Sequence, residues 1–279
     1  MKFLPLPPAG RTPVRALTIA GTDSGGGAGI QADTRTMALC GVHALVAVAA
    51  VTVQNTVGVS GFHEIPPQTV ADQVRAVVGD IGVGAAKTGM LASTAIIEAV
   101  ADVCREVGIG RDGEMPLVVD PVAASMHGDP LLHAEALDAL RYTLFPLATI
   151  VTPNLDEVRL LTGVEVTDDA SARQAAEALH ALGPRWVVVK GGHLRSSPTS
   201  TDLLFDGERF LEFGAARIET GNDHGGGDTL AAALACALAH GYSVPDAFEF
   251  AKEWTRRCLE ASYDLGKGHG PVSPLWRLS

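Results

Sequence analysis

Ala16-Leu-Thr-Ile-Ala-Gly-Thr-Asp-Ser-Gly-Gly-Gly-Ala-Gly29, running on into Ile30-Gln-Ala-Asp33, is the stretch that decides the fold. Arg15–Ala20 reads as a buried strand, the glycines as a tight turn, and the residues from Ile30 as the start of a helix. That order brings backbone N–H groups against a ligand at the carboxyl end of a parallel sheet. Five glycines in the nine positions 21–29 exceed what a turn alone needs. The dinucleotide fingerprint GxGxxG fails in register, because Ile30 stands where its last glycine belongs. A Walker A loop fails too, since no Gly-Lys-Ser/Thr follows.

Outward from this turn, short apolar runs alternate with helical patterns. Candidate strands are Arg15–Ala20, Leu45–Val53, Leu117–Asp120, Thr149–Thr152 and Trp186–Lys190, with Leu203–Phe205 as a further one. Candidate helices are Gln68–Val78, Thr94–Val107, Leu131–Leu144, Leu155–Leu161 and Asp168–Leu182, the last capped by Thr167 or Asp168. Continuous Val/Ile/Leu/Ala strands separated by helices imply a parallel sheet covered on both faces. Residues 1–14 read as a Pro-rich lead-in, residues 15–279 as one α/β domain, and Ser196–Ser200 as a loop.

The 279 residues carry 21 Lys and Arg against 32 Asp and Glu, a formal charge of −11, and are 47% hydrophobic and 19% charged. Such a chain is neither disordered nor a binder of nucleic acid or anionic membrane, because no domain-wide positive field meets phosphate. A small anionic ligand held locally remains compatible. The cysteines at 40, 104, 236 and 258 form no CxxC pair, which fits a reducing, cytoplasmic setting. Pro5, Pro7 and Pro8 break any signal-like apolar run, and Leu230–Ala239 is too short to span a membrane.

A second glycine cluster, Thr220-Gly-Asn-Asp-His-Gly-Gly-Gly-Asp-Thr229, opens the apolar run Leu230–Ala239. Orphan N–H groups at a helix start, backed by the helix dipole, make a cradle for phosphate or an oxyanion. Asp228 in the first turn reads either as a helix cap or as a general base facing a transferring phosphoryl group; a weakly basic carboxylate suffices for such a loose transition state. Asp120, Thr152 and Lys190 end strands. Asn154 and Glu157 share one helical face, where they either hold a hydrated Mg²⁺ near phosphate or cap the helix. Lys190 either meets phosphate as a point charge or reaches solvent.

Taken together, these residues resemble the hydroxymethylpyrimidine/phosphomethylpyrimidine kinases of thiamine biosynthesis, in the ribokinase superfamily. The likeness opens with Ala16–Asp33. It continues through Val51-Thr-Val-Gln-Asn55, Ala86-Lys-Thr-Gly-Met-Leu91, Val118-Val-Asp-Pro-Val122, Gly128-Asp-Pro-Leu-Leu132, Thr152-Pro-Asn-Leu-Asp-Glu157 and Val189-Lys-Gly-Gly-His-Leu194. It ends in Asn222–Thr229 and Gly266-Lys-Gly-His-Gly-Pro-Val272. The resemblance implies a three-layer α/β/α ribokinase-like fold with a mostly parallel central sheet, ATP and Mg²⁺ as cofactors, a small-molecule pyrimidine substrate and a homodimer. It places the pyrimidine site on Asp33, Gln54 and Met90, with Gly21 and Ala28 in the turn. It places the anion hole on Gly225, Gly226 and Gly227, the base at Asp228, the magnesium group on Asp120, Asn154 and Glu157, and Lys190 and Thr152 near the nucleotide.

Two departures stand out. Asp228 replaces a cysteine common in the family with the aspartate of ribokinase-type sugar kinases. Met126 and His127 replace a frequent Lys-Ser pair, leaving His127 and His224 as the nearest substitutes for a substrate-phosphate cation. The expected activity is ATP-dependent phosphorylation of hydroxymethylpyrimidine and of its monophosphate. The alternatives are a pyridoxal/pyridoxine kinase or a non-catalytic binder on the same fold.

Overall fold

Six strands run parallel through the middle of one nine-stranded sheet in the computed structural model, which describes residues 3–124, 131–133, 135–191 and 199–278. The strands are β1 (Val14–Gly21), β2 (Val42–Asn55), β3 (Gly58–Glu64), β4 (Ala85–Thr88), β5 (Leu117–Val119), β6 (Ile150–Val151), β7 (Trp186–Val189), β8 (Thr199–Phe205) and β9 (Phe210–Ala216). Their spatial order is β3-β2-β1-β4-β5-β6-β7-β8-β9. The strands from β2 to β7 in that order are parallel, and β3, β8 and β9 add antiparallel edges.

Side chains on successive strand residues point to opposite faces, and each face has its own core. Leu17, Ile19, Leu117, Val119, Val151, Val187 and Val189 pack on one side, beneath α2 (Pro67–Asp80), α3 (Thr94–Val107), α4 (Ala136–Ala139), α5 (Leu155–Thr162) and α6 (Asp169–His180). Ala16, Ala85, Val118, Ile150, Trp186 and Val188 face the other side, beneath α1 (Gly29–Leu39), α7 (Gly226–Ala239) and α8 (Val244–Glu260). This is the three-layer α/β/α arrangement. Helix α7 is buried over ten consecutive residues, Thr229–Leu238, because it lies between the sheet, α1 and α8. A helix apolar all round suits only such an interior position.

The expected strands are present, and Asp168 caps α6 by accepting the Ser171 N–H. Three further strands, β3, β4 and β9, and helix α8 were not expected. The helix expected from Leu131 begins only at Ala136: the Leu131 N–H donates to Ala123 O and that of His133 to Ala92 O, so Leu131–His133 runs extended. Strand β8 starts at Thr199, inside the stretch expected to be a loop. Leu4, from the Pro-rich lead-in, is buried in the second core.

The layering makes a stability prediction. Leu234→Ala, in the fully buried stretch of α7, is expected to cost about 2–5 kcal/mol. Leu160→Ala, on the exposed side of α5, should change stability by less than about 0.5 kcal/mol. Urea unfolding midpoints measure both, and equal losses would contradict the layering.

Candidate active site

Parallel pairing places the carboxyl ends of β1, β4, β5, β6 and β7 along one edge of the sheet, and the polar residues gather there. Gly21 ends β1, Gly89 follows β4, and Asp120, Thr152 and Lys190 follow β5, β6 and β7. The two glycine turns rise beside them at the N-termini of α1 and α7.

At the centre is Lys87, fully buried on β4. Its ammonium donates to both carboxylate oxygens of Asp33 on α1 at 2.9 Å and to Asp228 Oδ1 on α7, also at 2.9 Å. Thr18 Oγ1 donates to Asp33 Oδ2 at 2.6 Å, and the Gly29 N–H to Asp228 Oδ2 at 3.1 Å. Burial disfavours every charge here, yet the three elements assemble one cation between two carboxylates. Lys87 is held protonated against its burial by Asp228, Asp33 and Asp120. Burial pushes Asp33 up to about 7, with Lys87 opposing and Asp228 adding to the shift. Asp228 is lowered in spite of burial, by the charge and hydrogen bond of Lys87, the Gly29 N–H and the charge of His224. Asp228 therefore stays ionised, with 15% of its side chain exposed at the mouth of α7.

The first glycine turn differs from its expectation as an open cradle of N–H groups. Its amides are turned inward: Gly21 to Met90 O, Thr22 to Ala50 O, Asp23 to Gln31 Oε1, Gly26 to Asp23 O, and Gly29 to Asp228. Asp23 takes three more. Its Oδ1 accepts from Gly25, and its Oδ2 from Gly27 and Ala28. Asp23 thus fixes the turn that enters α1, reaching as far as the N–H of the N-cap residue Ala28, whose own side chain cannot cap. The same Oδ2 lies 2.9 Å from His224 Nε2, so the imidazole carries its proton on Nε2. Burial raises Asp23, but His224 and the N–H groups prevail and hold it below the usual carboxylate range.

The turns touch, and glycine is required where they do. A Cβ on Gly27 would lie 2.3 Å from His224 Cδ2, and one on Gly225 only 2.0 Å from Gly27 O. At the second turn Gly225 adopts φ +78° as the N-cap of α7. The Gly226 N–H is engaged by Asp223 O, so the donors without a partner among the described residues are the N–H groups of Gly225, Gly227 and Asp228, rather than those of the three glycines.

The expected residues divide accordingly. Asp228, Gly225 and Gly227 lie together at the start of α7, and Asp120 and Lys190 lie near them, 3.7 Å apart. A Cβ on Gly227 would sit 3.5 Å from Asp120 Oδ2 and 3.9 Å from Lys190 Nζ. Thr152, expected near the nucleotide, is fully buried and donates to Asp120 Oδ1 at 3.1 Å. Asn154 and Glu157 form a reciprocal capping box at the start of α5, so the Asn154 side-chain oxygen is already engaged. Burial pushes Glu157 up to about 7, with Lys190 opposing and Asp120 adding. Asp33, expected at the pyrimidine edge, has no exposed surface and is the buried counter-ion of Lys87. Met90 packs with Ala50, Ala92 and Leu131, its Sδ 3.1 Å from a Cβ position on Gly21. Gln54, half-buried at the end of β2, has its backbone N–H and C=O clamped by Ser24 Oγ. The imidazole Nε2 of His224 is committed to Asp23. Met126 and His127 lie outside the described residues.

Sequence reasoning missed Lys87 and Asp23. The signal for Lys87 was a single charge inside Ala85-Ala-Lys-Thr88; Asp23 was hidden as one more polar turn residue.

The Asp33 shift predicts a pH dependence. A carboxyl raised by folding contributes stability that is fully present below its unfolded value of about 3.9 and is lost as pH rises through about 7. Compared with Asp33→Asn, the wild type should lose folding free energy across that window in urea titrations. Parallel pH profiles would contradict the ionisation scheme.

The chain is similar to known proteins over nearly all its length. It is 65% identical over 281 residues to a hydroxymethylpyrimidine/phosphomethylpyrimidine kinase of Mycobacterium leprae, covering 99% of each chain. It superposes on the ADP complex of Bacillus subtilis pyridoxal kinase with a TM-score of 0.86 and 35% identity, covering 96% of this chain and 100% of that one. It superposes on a phosphomethylpyrimidine kinase of Clostridium difficile with a TM-score of 0.75 and 34% identity, covering 87% of this chain and 98% of that one. A model of the phosphomethylpyrimidine kinase family matches residues 23–273, and the chain belongs to that family.

Proposed function

We propose that this kinase transfers the γ-phosphoryl group of ATP to the hydroxyl of hydroxymethylpyrimidine and then to the phosphate of the resulting monophosphate, in thiamine biosynthesis. The observation that carries this reading is Asp228. It is an ionised carboxylate at the mouth of α7, flanked by the open N–H groups of Gly225 and Gly227 and held from below by Lys87. In the first transfer Asp228 takes the hydroxyl proton as that oxygen bonds to the γ-phosphorus and the bond to the ADP oxygen breaks. The N–H groups and the dipole of α7 stabilise the charge on the transferring group. Gln54 and Met90 are the residues proposed to meet the ring, by hydrogen bond and by packing.

Mg²⁺ fits the residues beside Lys190. Asp120 and Glu157 each offer carboxylate oxygen; burial is the main cause of the upward shift of Glu157 and the charge of Asp120 adds to it, and a divalent cation beside the pair would oppose both. Among the described residues no group of three or more His, Cys, Asp or Glu side chains forms a metal cage. That is compatible with an ion held mainly by phosphate, water and one or two carboxylates. When bound, Mg²⁺ neutralises phosphate charge; Asp120 and Glu157 would hold it, and Lys190 would meet the nucleotide. We place the enzyme in the cytoplasm, in keeping with four buried free cysteines. No described helix is long and apolar enough to cross a membrane. A homodimer is supported by the exposed Val51, Val53 and Val57 on and beside the β2–β3 edge.

The likeness to the Bacillus subtilis pyridoxal kinase favours pyridoxal as the second reading. ATP-consumption assays with hydroxymethylpyrimidine, its monophosphate, pyridoxal and ribose decide between them. Turnover is expected with the two pyrimidines, and turnover with pyridoxal alone would reverse the assignment. Asp228→Asn should lower turnover by about 10²–10⁴-fold with ATP binding retained. Near-normal turnover in that variant would reduce Asp228 to a helix-start residue.

A further inference from the structure

The two glycine turns hold partners 199 and 201 residues apart in sequence, and they share three ties. His224 Nε2 donates to Asp23 Oδ2 at 2.9 Å. Gly225 lies against the Gly27 carbonyl at a distance no Cβ allows. The Gly29 N–H donates to Asp228 Oδ2. Asp23 is the hub of this arrangement, 1% exposed, accepting from Gly25, Gly27, Ala28 and His224 with one carboxylate. His224 is itself fixed at both ends of its backbone: its N–H donates to Gly270 O, and its carbonyl accepts from Val272. The imidazole therefore projects from an anchored strand bridge, not from a loose loop.

The chain of contacts leads to Asp228. Asp23 orients the Gly27 and Ala28 amides, which set the peptide plane entering Gly29, and the Gly29 N–H holds the second oxygen of Asp228. Lys87 holds the first. One oxygen is thus tied to the sheet and the other to the first turn, so the carboxylate orientation depends on the position of that turn.

We propose that Asp23 and His224 are positioning residues: their hydrogen bond latches the two glycine turns together and so keeps the Asp228 carboxylate in its working orientation. The second half of this proposal rests on the reading of Asp228 as the base. His224→Leu removes the donor and keeps bulk, whereas His224→Gln carries an amide donor close to the place of Nε2. Gly27→Ala strikes the same contact from the other turn, since its methyl displaces the imidazole.

Amide hydrogen exchange tests the latch without reference to activity. In His224→Leu, exchange in residues 21–32 should accelerate by about tenfold or more, as a local opening of that turn, together with exchange in residues 220–230. His224→Gln should restore most of the protection, and Gly27→Ala should loosen residues 220–230 in return. Acceleration confined to the turn that carries the substitution overturns the latch. Kinetics test the positioning role: His224→Leu should lower kcat by about 10–100-fold, the scale seen when a supporting partner is removed, while KM for ATP stays near the wild-type value and His224→Gln recovers kcat. Unchanged kcat with both turns loosened overturns the positioning role. A wild type that transfers no phosphoryl group overturns the base reading and with it the positioning role, while the exchange result still decides the latch.

Discussion

One ammonium group, Lys87 Nζ, holds this site together. It rises from a four-residue central strand and meets Asp33 on α1 and Asp228 on α7, joining the sheet to the two helices that follow the glycine turns. A buried ion pair contributes little net stability, because desolvating its charges offsets their attraction. Removing one member is another matter. It leaves an uncompensated charge in the interior and costs about 3–5 kcal/mol. The constraint is therefore mainly geometric: with Lys87 in place, α1 and α7 meet at a defined separation, and one oxygen of Asp228 is committed.

A division of labour between the helix N-termini follows. Both α1 and α7 begin at glycine turns on the carboxyl edge of the sheet, where anions are commonly held. In the turn that leads into the first, Asp23 takes the amides of Gly25, Gly27 and Ala28 for itself. A buried carboxylate there also repels a second anion. Among the described residues the amides of Gly225, Gly227 and Asp228 have no partner, and on the proposed reading the transferring phosphoryl group meets α7, with the first turn beside it.

Much of this was legible in the chain. The uninterrupted apolar strands disclosed a parallel sheet, and the residues after them, Asp120, Thr152 and Lys190, fall on one edge because parallel strands end on one side. The apolar run after Gly227 disclosed the buried helix. What was not legible depends on distance in space. Lys87 looks like an interruption until Asp33 and Asp228 stand on either side of it. The richness of Gly21–Gly29 reads as ligand binding, but Gly27 is there because the His224 ring approaches it and Gly29 because the backbone of Gly21–Asp23 does. Capping and metal binding look alike in Asn154 and Glu157, and the capping box is present in the structure. Helix α8 is a different matter. Ala247, Ala251, Trp254 and Cys258 repeat at helical spacing, so its buried face was readable.

The central claim is that Lys87 keeps Asp228 ionised and ready to receive a proton. The most direct measurement is a titration of the Asp228 carboxyl carbon by nuclear magnetic resonance, in the wild type and in Lys87→Met. The account predicts a wild-type midpoint below the ordinary aspartate value of about 3.9 and a clear rise once the ammonium is gone. A wild-type midpoint at or above that value, or one indifferent to the loss of Lys87, would contradict it.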